Sequence, residues 1–258
     1  MAGEGRGFRW GRVLVLATAT VVALLLVAVL AFLGWALTPY RAEAEPLARA
    51  EGDPAVEVSR GEDSVVLTPT AEPSGTGIVF YPGARVEPDA YVASWAPVVA
   101  ATGVTVVVPH VRLHLALLDQ ARAESAVREA PDVDTWYLGG HSMGGAFAAQ
   151  HLGGGDSDTD WTGLVLWASY AVDSAELAAR EDLRVLSVAG GRDEVLPPAE
   201  IEERRSALPA DALMVTIEDM NHAQFGAYGE QSGDGEPQAS TAEAHEELAA
   251  VTTDFLVP

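Results

Sequence analysis

The chain of 258 residues contains no cysteine and no lysine; its 15 basic residues are all arginine. Without thiols there is no disulfide framework, no thiolate zinc site and no cysteine nucleophile, so nucleophilic chemistry falls to another side chain, serine first. Positive charge is scarce as well: 38 acidic residues give a formal net charge of −23. Such a surface repels phosphate backbones, whose binding proteins draw affinity from basic groups that release counterions, and nucleic acid is a poor partner. The acidity has two readings, ordinary solvation and adaptation to high salt, where screening over about 3 Å at 1 M makes dense like charge tolerable. Low complexity is confined to 153–160 and 230–238, read as acidic or glycine-rich loops, and there is no internal repeat.

Residues 13–37 form an apolar run without a single charge, long enough at 1.5 Å per residue to cross a hydrocarbon core of about 30 Å. It is predicted to be one transmembrane helix. Arg6, Arg9 and Arg12 precede it, whereas Glu43, Glu45, Glu51 and Asp53 follow; the positive-inside rule then puts residues 1–12 in the cytoplasm as a basic tail and the rest outside. A cleaved signal peptide is the competing reading, because Ala42-Glu43-Ala44 has suitably spaced small residues. Against it, the run exceeds the usual apolar region of a signal, about 7–15 residues. Residues 38–55, rich in Ala, Glu and Pro, suit a juxtamembrane linker, and a folded domain is expected over 56–258.

Segments 56–60 and 64–68 flank Gly61-Glu62-Asp63 and predict an opening hairpin. Strand-length apolar runs then follow at 77–81, 104–108, 136–138, 163–168, 185–189 and 213–217, alternating with helical stretches at 89–101, 113–130, 143–152, 199–207 and 241–256. Runs such as V-T-V-V-V, apolar at consecutive positions, suit strands covered on both faces. The expected class is α/β, three layers around a mostly parallel sheet.

Gly140-His141-Ser142-Met143-Gly144 fits G-x-S-x-G directly after a W-Y-L-G strand and before an A-F-A-A-Q helix. There a tight strand-to-helix turn presents the Ser142 hydroxyl, and the Met143 N–H opens the helix as a donor for an oxyanion. A serine needs a base, and the base an acid that holds its tautomer. On such a sheet the chain order is Ser, acid, His. Asp193 and His222 each lie just past a strand end in that order, on the rim where open α/β sheets bind ligands. Asp173, Glu194 and Asp219 are rival acids, less well placed. Among other histidines, His141 is expected to pack beneath the turn, and His151 and His245 to be structural or on the surface. His110 and His114, spaced i, i+4, lack the acidic partner of a metal motif, so no metal is predicted. The second oxyanion donor is expected after the 77–81 strand, at the Ala84 N–H; Tyr81 either lines an acyl pocket or is an ordinary strand-end aromatic.

Together, F-Y-P-G-A-R-V-E-P-D-A-Y, G-G-H-S-M-G-G, G-G-R-D-E-V-L-P and N-H-A-Q-F-G-A-Y-G resemble the compact, often membrane-anchored, dienelactone-hydrolase-like branch of the α/β-hydrolase superfamily. The resemblance covers residues 56–258. It implies an α/β-hydrolase fold, Ser142, Asp193 and His222 as a triad, Met143 and Ala84 as oxyanion donors, and hydrolysis of an ester or related acyl bond in a small-molecule substrate without cofactor. Two departures stand out: P-G-A replaces the P-G-G of many relatives, and the nucleophile is not the cysteine of true dienelactone hydrolases, so that substrate does not transfer. The short stretch between the 163–168 and 185–189 strands leaves no room for a large lid, which favours small or exposed acyl groups. Acyl transfer to another acceptor and an inactive extracellular binding module are the competing functions. Nothing in the sequence sets an oligomeric state.

Overall fold

The computed structural model describes residues 4–155 and 157–257. Residues 1–3 of the predicted basic tail, Asp156 of the predicted 153–160 loop and the terminal Pro258 lie outside the described residues. The chain divides into two units, one ending at Thr38 and one beginning at Pro39.

The first unit is one helix, α1 (Glu4–Ala36). It starts upstream of the predicted 13–37 span and stops at its last turn. Its portion Gly11–Ala36, 26 residues containing an 18-residue window with a mean hydropathy of 3.0, extends about 39 Å, more than a hydrocarbon core of about 30 Å. Thr20 Oγ1 donates to the Leu16 carbonyl (2.9 Å), so this hydroxyl is satisfied inside the helix. An apolar helix of this length near the N-terminus suits a membrane span and equally a signal sequence.

The second unit is built on eight strands: β1 (Val56–Arg60), β2 (Ser64–Pro69), β3 (Thr76–Tyr81), β4 (Thr105–Pro109), β5 (Thr135–His141), β6 (Trp161–Trp167), β7 (Arg184–Gly190) and β8 (Leu213–Ile217). They form one sheet in the order β1-β2-β4-β3-β5-β6-β7-β8. The predicted hairpin is present, β1 pairing antiparallel with β2, and β2 is antiparallel to β4; every other pairing is parallel. Successive residues of a strand face opposite sides. Ile78 and Phe80 accordingly join the core under α3 (Val92–Thr102) and α7 (Thr241–Leu256). Val79 and Tyr81 join the core beneath α4 (Arg122–Ala126) and α5 (Met143–Gly153). Both faces being covered explains the unbroken apolar runs. This is the expected three-layer α/β-hydrolase fold.

Three segments depart from expectation. The helix predicted over 113–130 is broken into turns at Arg112–His114, Ala116–Leu118 and Val127–Glu129 around the short α4. Leu113 and His114 have φ of 54° and 55°, and the Tyr81 hydroxyl donates to the Gln120 carbonyl (2.6 Å) and accepts the Ala123 N–H (2.7 Å). A side chain from the sheet thus takes backbone bonds that a continuous helix needs. The stretch read as a linker carries α2 (Ala44–Glu51), whose Leu47 and Ala50 pack into the α3 side of the core, and the compact unit begins at Pro39, well before Val56. At i, i+3 Leu47 and Ala50 share one face of the helix, and Tyr40 and Ala42 pack against the same core. At 199–207 the helix is α6 (Pro198–Glu203), followed by a separate turn at Arg205–Ala207.

Candidate active site

Parallel strands bring their C-terminal ends to one edge, and Ser142, Asp193 and His222 follow β5, β7 and β8 there. Ser142 sits at φ 53°, ψ −126°, a region that side chains avoid and that persists only where the surroundings impose it. Its N–H donates to the Trp167 carbonyl at the end of β6 (2.9 Å), and its carbonyl accepts the Ser169 hydroxyl (2.7 Å). Glycines make the turn possible by close approach. A Cβ on Gly140 would stand 2.5 Å from the Gly144 carbonyl carbon, and one on Gly144 would stand 2.4 Å from the carbonyl oxygens of Tyr81 and Pro82. The first turn of α5 is therefore pressed onto the ends of β3 and β5 with no room for side chains. Ser142 and Met143 are half-buried.

Asp193 and His222 are closed off from solvent, and Asp193 Oδ2 lies 2.7 Å from His222 Nδ1. The other carboxylate oxygen accepts the N–H groups of Val195 (2.9 Å) and Leu196 (2.7 Å). The rival acids Asp173, Glu194 and Asp219 are all exposed. Ser142 adjoins this pair through its neighbour: the His141 ring centroid is 4.5 Å from that of His222. No hydrogen bond joins the Ser142 hydroxyl to the imidazole among the described residues.

His141 is buried, as expected, and it has a second partner that the sequence did not reveal. Its Nδ1 is 2.9 Å from the Tyr91 hydroxyl, which in turn accepts the Gly83 N–H at 2.8 Å. Burial, reinforced by the nearby His222, holds the His141 imidazole well below its ordinary pKa and therefore neutral. Burial also drives the Tyr91 phenol upward, so it stays protonated. A Cβ on Gly83 would lie 2.8 Å from His141 Nδ1, which is why glycine occupies that position.

Around Ala84 the neighbouring amides are all engaged. Gly83 N–H goes to Tyr91, Arg85 N–H to the His114 carbonyl (2.8 Å), Val86 N–H to the Gly83 carbonyl (3.2 Å) and Glu87 N–H to the Tyr40 carbonyl (2.9 Å). The Ala84 N–H alone in this loop has no partner among the described residues. The residue in the left-handed region is Arg85 (φ 59°), not Ala84, so alanine instead of glycine at 84 carries no backbone strain. Tyr81 is fully buried with its hydroxyl tied to the Gln120–Ala123 backbone; it is core.

His110 is half-buried, and its backbone N–H donates to the Asp63 carbonyl (2.9 Å). His151 Nε2 meets Glu124 Oε1 at 2.8 Å. His245 is buried, its Nε2 3.0 Å from the Gln224 carbonyl behind the His222 turn. His114 is drawn below its ordinary pKa by partial burial. Among the described residues no group of three His, Asp or Glu is arranged to hold a metal. Between β6 and β7 lie only two single turns, Asp173–Ala175 and Leu177–Ala179. Ala175 and Leu177 are buried against the α5 side of the core, and this stretch contributes no lid helix.

A model described as the alpha/beta hydrolase family matches residues 77–246. A search of curated proteins gives no match. Among solved structures the chain is similar to a thermostable esterase from Pseudomonas putida ECU1011, at 13% identity and a TM-score of 0.59 over 82% of this chain and 86% of that one. It is also similar to a hyperthermophilic esterase from the archaeon Pyrobaculum calidifontis, at 17% identity and a TM-score of 0.58 over 88% and 90%. Esterase 2 of Thermogutta terrifontis aligns at 16% identity and a TM-score of 0.53 over 79% and 94%. At these identities the likeness is one of fold.

Proposed function

Because this chain belongs to the alpha/beta hydrolase family, we propose that it is a serine hydrolase that cleaves carboxylic esters or related acyl bonds in small molecules. The observation that carries this reading is the buried Asp193–His222 hydrogen bond, 2.7 Å long, on the same sheet edge as a serine with strained backbone. His222, its Nδ1–H held by Asp193, takes the Ser142 proton at Nε2 while the oxygen attacks the substrate carbonyl. The oxyanion is stabilised by the N–H groups of Met143, at the first turn of α5, and of Ala84. Collapse expels the alcohol with the proton from His222; water, deprotonated by His222, then attacks the acyl-enzyme and releases the acid. A loose Ser–His contact in the free protein is common and tightens when substrate binds. Three fold relatives bear the name esterase, and the absence of a lid among the described residues favours short or exposed acyl groups.

The membrane part of the reading rests on α1. We read it as a retained single-pass anchor with its arginine-preceded end in the cytoplasm and residues 56–258 outside as the catalytic domain, since Gly11–Ala36 is longer than a signal's apolar region.

The test is Ser142→Ala in the full chain, solubilised in detergent. Hydrolysis of p-nitrophenyl acetate should fall by several orders of magnitude, and a fluorophosphonate probe, which labels the wild type on the peptide carrying Ser142, should leave the variant unlabelled. Full activity and labelling in the variant would remove Ser142 from the mechanism.

A further inference from the structure

The segment 230–238 looks in the sequence like acidic filler. In the fold it runs between the turn that carries Asp193 and the turn that carries His222. On one side Gly235 lies flat against the Asp193 turn: a Cβ there would stand 2.1 Å from the Arg192 carbonyl oxygen. On the other side Asn221 Nδ2 donates to the Gly235 carbonyl (2.7 Å). The Asp234 carboxylate reaches beneath His222. Its Oδ1 accepts the His222 N–H (3.2 Å) and the Gly235 N–H (2.8 Å), and its Oδ2 accepts the Ala223 N–H (2.8 Å). Further on, the Gln238 N–H donates to the Asp219 carbonyl (2.9 Å) and Gln224 Nε2 to the Ala239 carbonyl (2.9 Å). The segment is thus stitched to the His222 turn along its length.

We infer that Asp234 is a positioning residue for the general base, an inference that rests on the reading of His222 given above. An imidazole tied only at Nδ1 can still be displaced if its own backbone shifts. Here the backbone N–H groups of His222 and of the next residue are both held by one carboxylate. Hydrogen bonds to a charged acceptor are about twice as strong as neutral ones. Asp193 orients the ring; Asp234 fixes the point from which the ring hangs. Gly235 lets the strap lie close enough to the Asp193 turn for both restraints to act together.

The experiment compares Asp234→Ala, Asp234→Asn and Ser232→Ala in the detergent-solubilised full chain, with p-nitrophenyl acetate as substrate. Asp234→Ala should lower kcat by about 10- to 100-fold with KM within about twofold, because a small displacement of an acid–base group is felt in the chemical step. Asp234→Asn, which keeps one acceptor oxygen, should recover part of that loss; Ser232→Ala, an exposed neighbour on the same loop, should match the wild type. A second readout does not depend on turnover: the downfield proton resonance of the His222–Asp193 hydrogen bond should be sharp in the wild type, broadened or lost in Asp234→Ala and regained in Asp234→Asn. Wild-type kcat together with a sharp resonance in Asp234→Ala overturns the inference, as does a loss of kcat that merely follows loss of folded protein and is not relieved in Asp234→Asn. If the wild type neither hydrolyses the ester nor takes a fluorophosphonate, the esterase reading fails, and the resonance still decides on Asp234.

Discussion

Asp193 Oδ2 faces His222 Nδ1 at 2.7 Å, while Asp193 Oδ1 is already taken by the N–H groups of Val195 and Leu196. The two oxygens are not interchangeable. In Asp193→Asn the single carbonyl oxygen is claimed by those two amides, and the NH2 group is left pointing at Nδ1. The imidazole must then accept at Nδ1 and carry its proton on Nε2, where it cannot receive the serine proton. Activity should drop by about 10⁴-fold in kcat with little change in melting temperature, as measured by ester hydrolysis and circular dichroism on the same preparation.

Tyr91→Phe removes the hydroxyl shared by the Gly83 N–H and His141 Nδ1, and both are left buried without a partner. The cost should be about 1–3 kcal/mol for each unsatisfied group, read from denaturant unfolding. Release of Gly83 also frees the following peptide, so kcat should fall, by up to the 10²–10³-fold that loss of an oxyanion donor typically costs. Unchanged kcat in a folded variant would separate Tyr91 from the Ala84 donor.

His245 gives the protein a pH dependence of known sign. Burial lowers its folded-state pKa below the ordinary 6.5, so below that pH the unfolded chain binds more protons than the folded one. Stability is fully present above about pH 6.5 and declines as pH falls toward the depressed folded value. His141 is depressed for the same first reason. His245→Gln, whose amide can still donate to the Gln224 carbonyl, should flatten the fall in unfolding free energy between pH 6.5 and 5 by up to about 1.4 kcal/mol per pH unit, with the slope from His141 remaining. An unaltered slope would mean that His245 titrates alike in both states.

The layers of the domain were legible where the signal is local. V-T-V-V-V is a strand because both faces are buried, and α7 begins where Ser240 and Glu243 form a capping box. The placement of Ser142, Asp193 and His222 just past the ends of β5, β7 and β8 was readable from the alternating pattern. The broken 113–130 segment was not, because its interruption comes from Tyr81, a residue on a distant strand whose hydroxyl bonds its backbone. Tyr91 and Asp234 were missed for a related reason. Nothing local marks a phenol as the partner of Gly83 or one carboxylate among 38 acidic residues as the support of His222; their roles exist only once the loops have met.

The two turns between β6 and β7 carry one more consequence. Gly153 at the end of α5 approaches Ala175 so closely that a Cβ would fall 2.1 Å from its carbonyl oxygen, which pins the excursion to the body of the domain. Among the described residues this stretch offers no cover to be lifted at an oil–water boundary. The velocity should rise hyperbolically with a short-chain ester and pass through the solubility limit without a jump, the behaviour of a catalyst that meets dissolved substrate and needs no interface to switch it on.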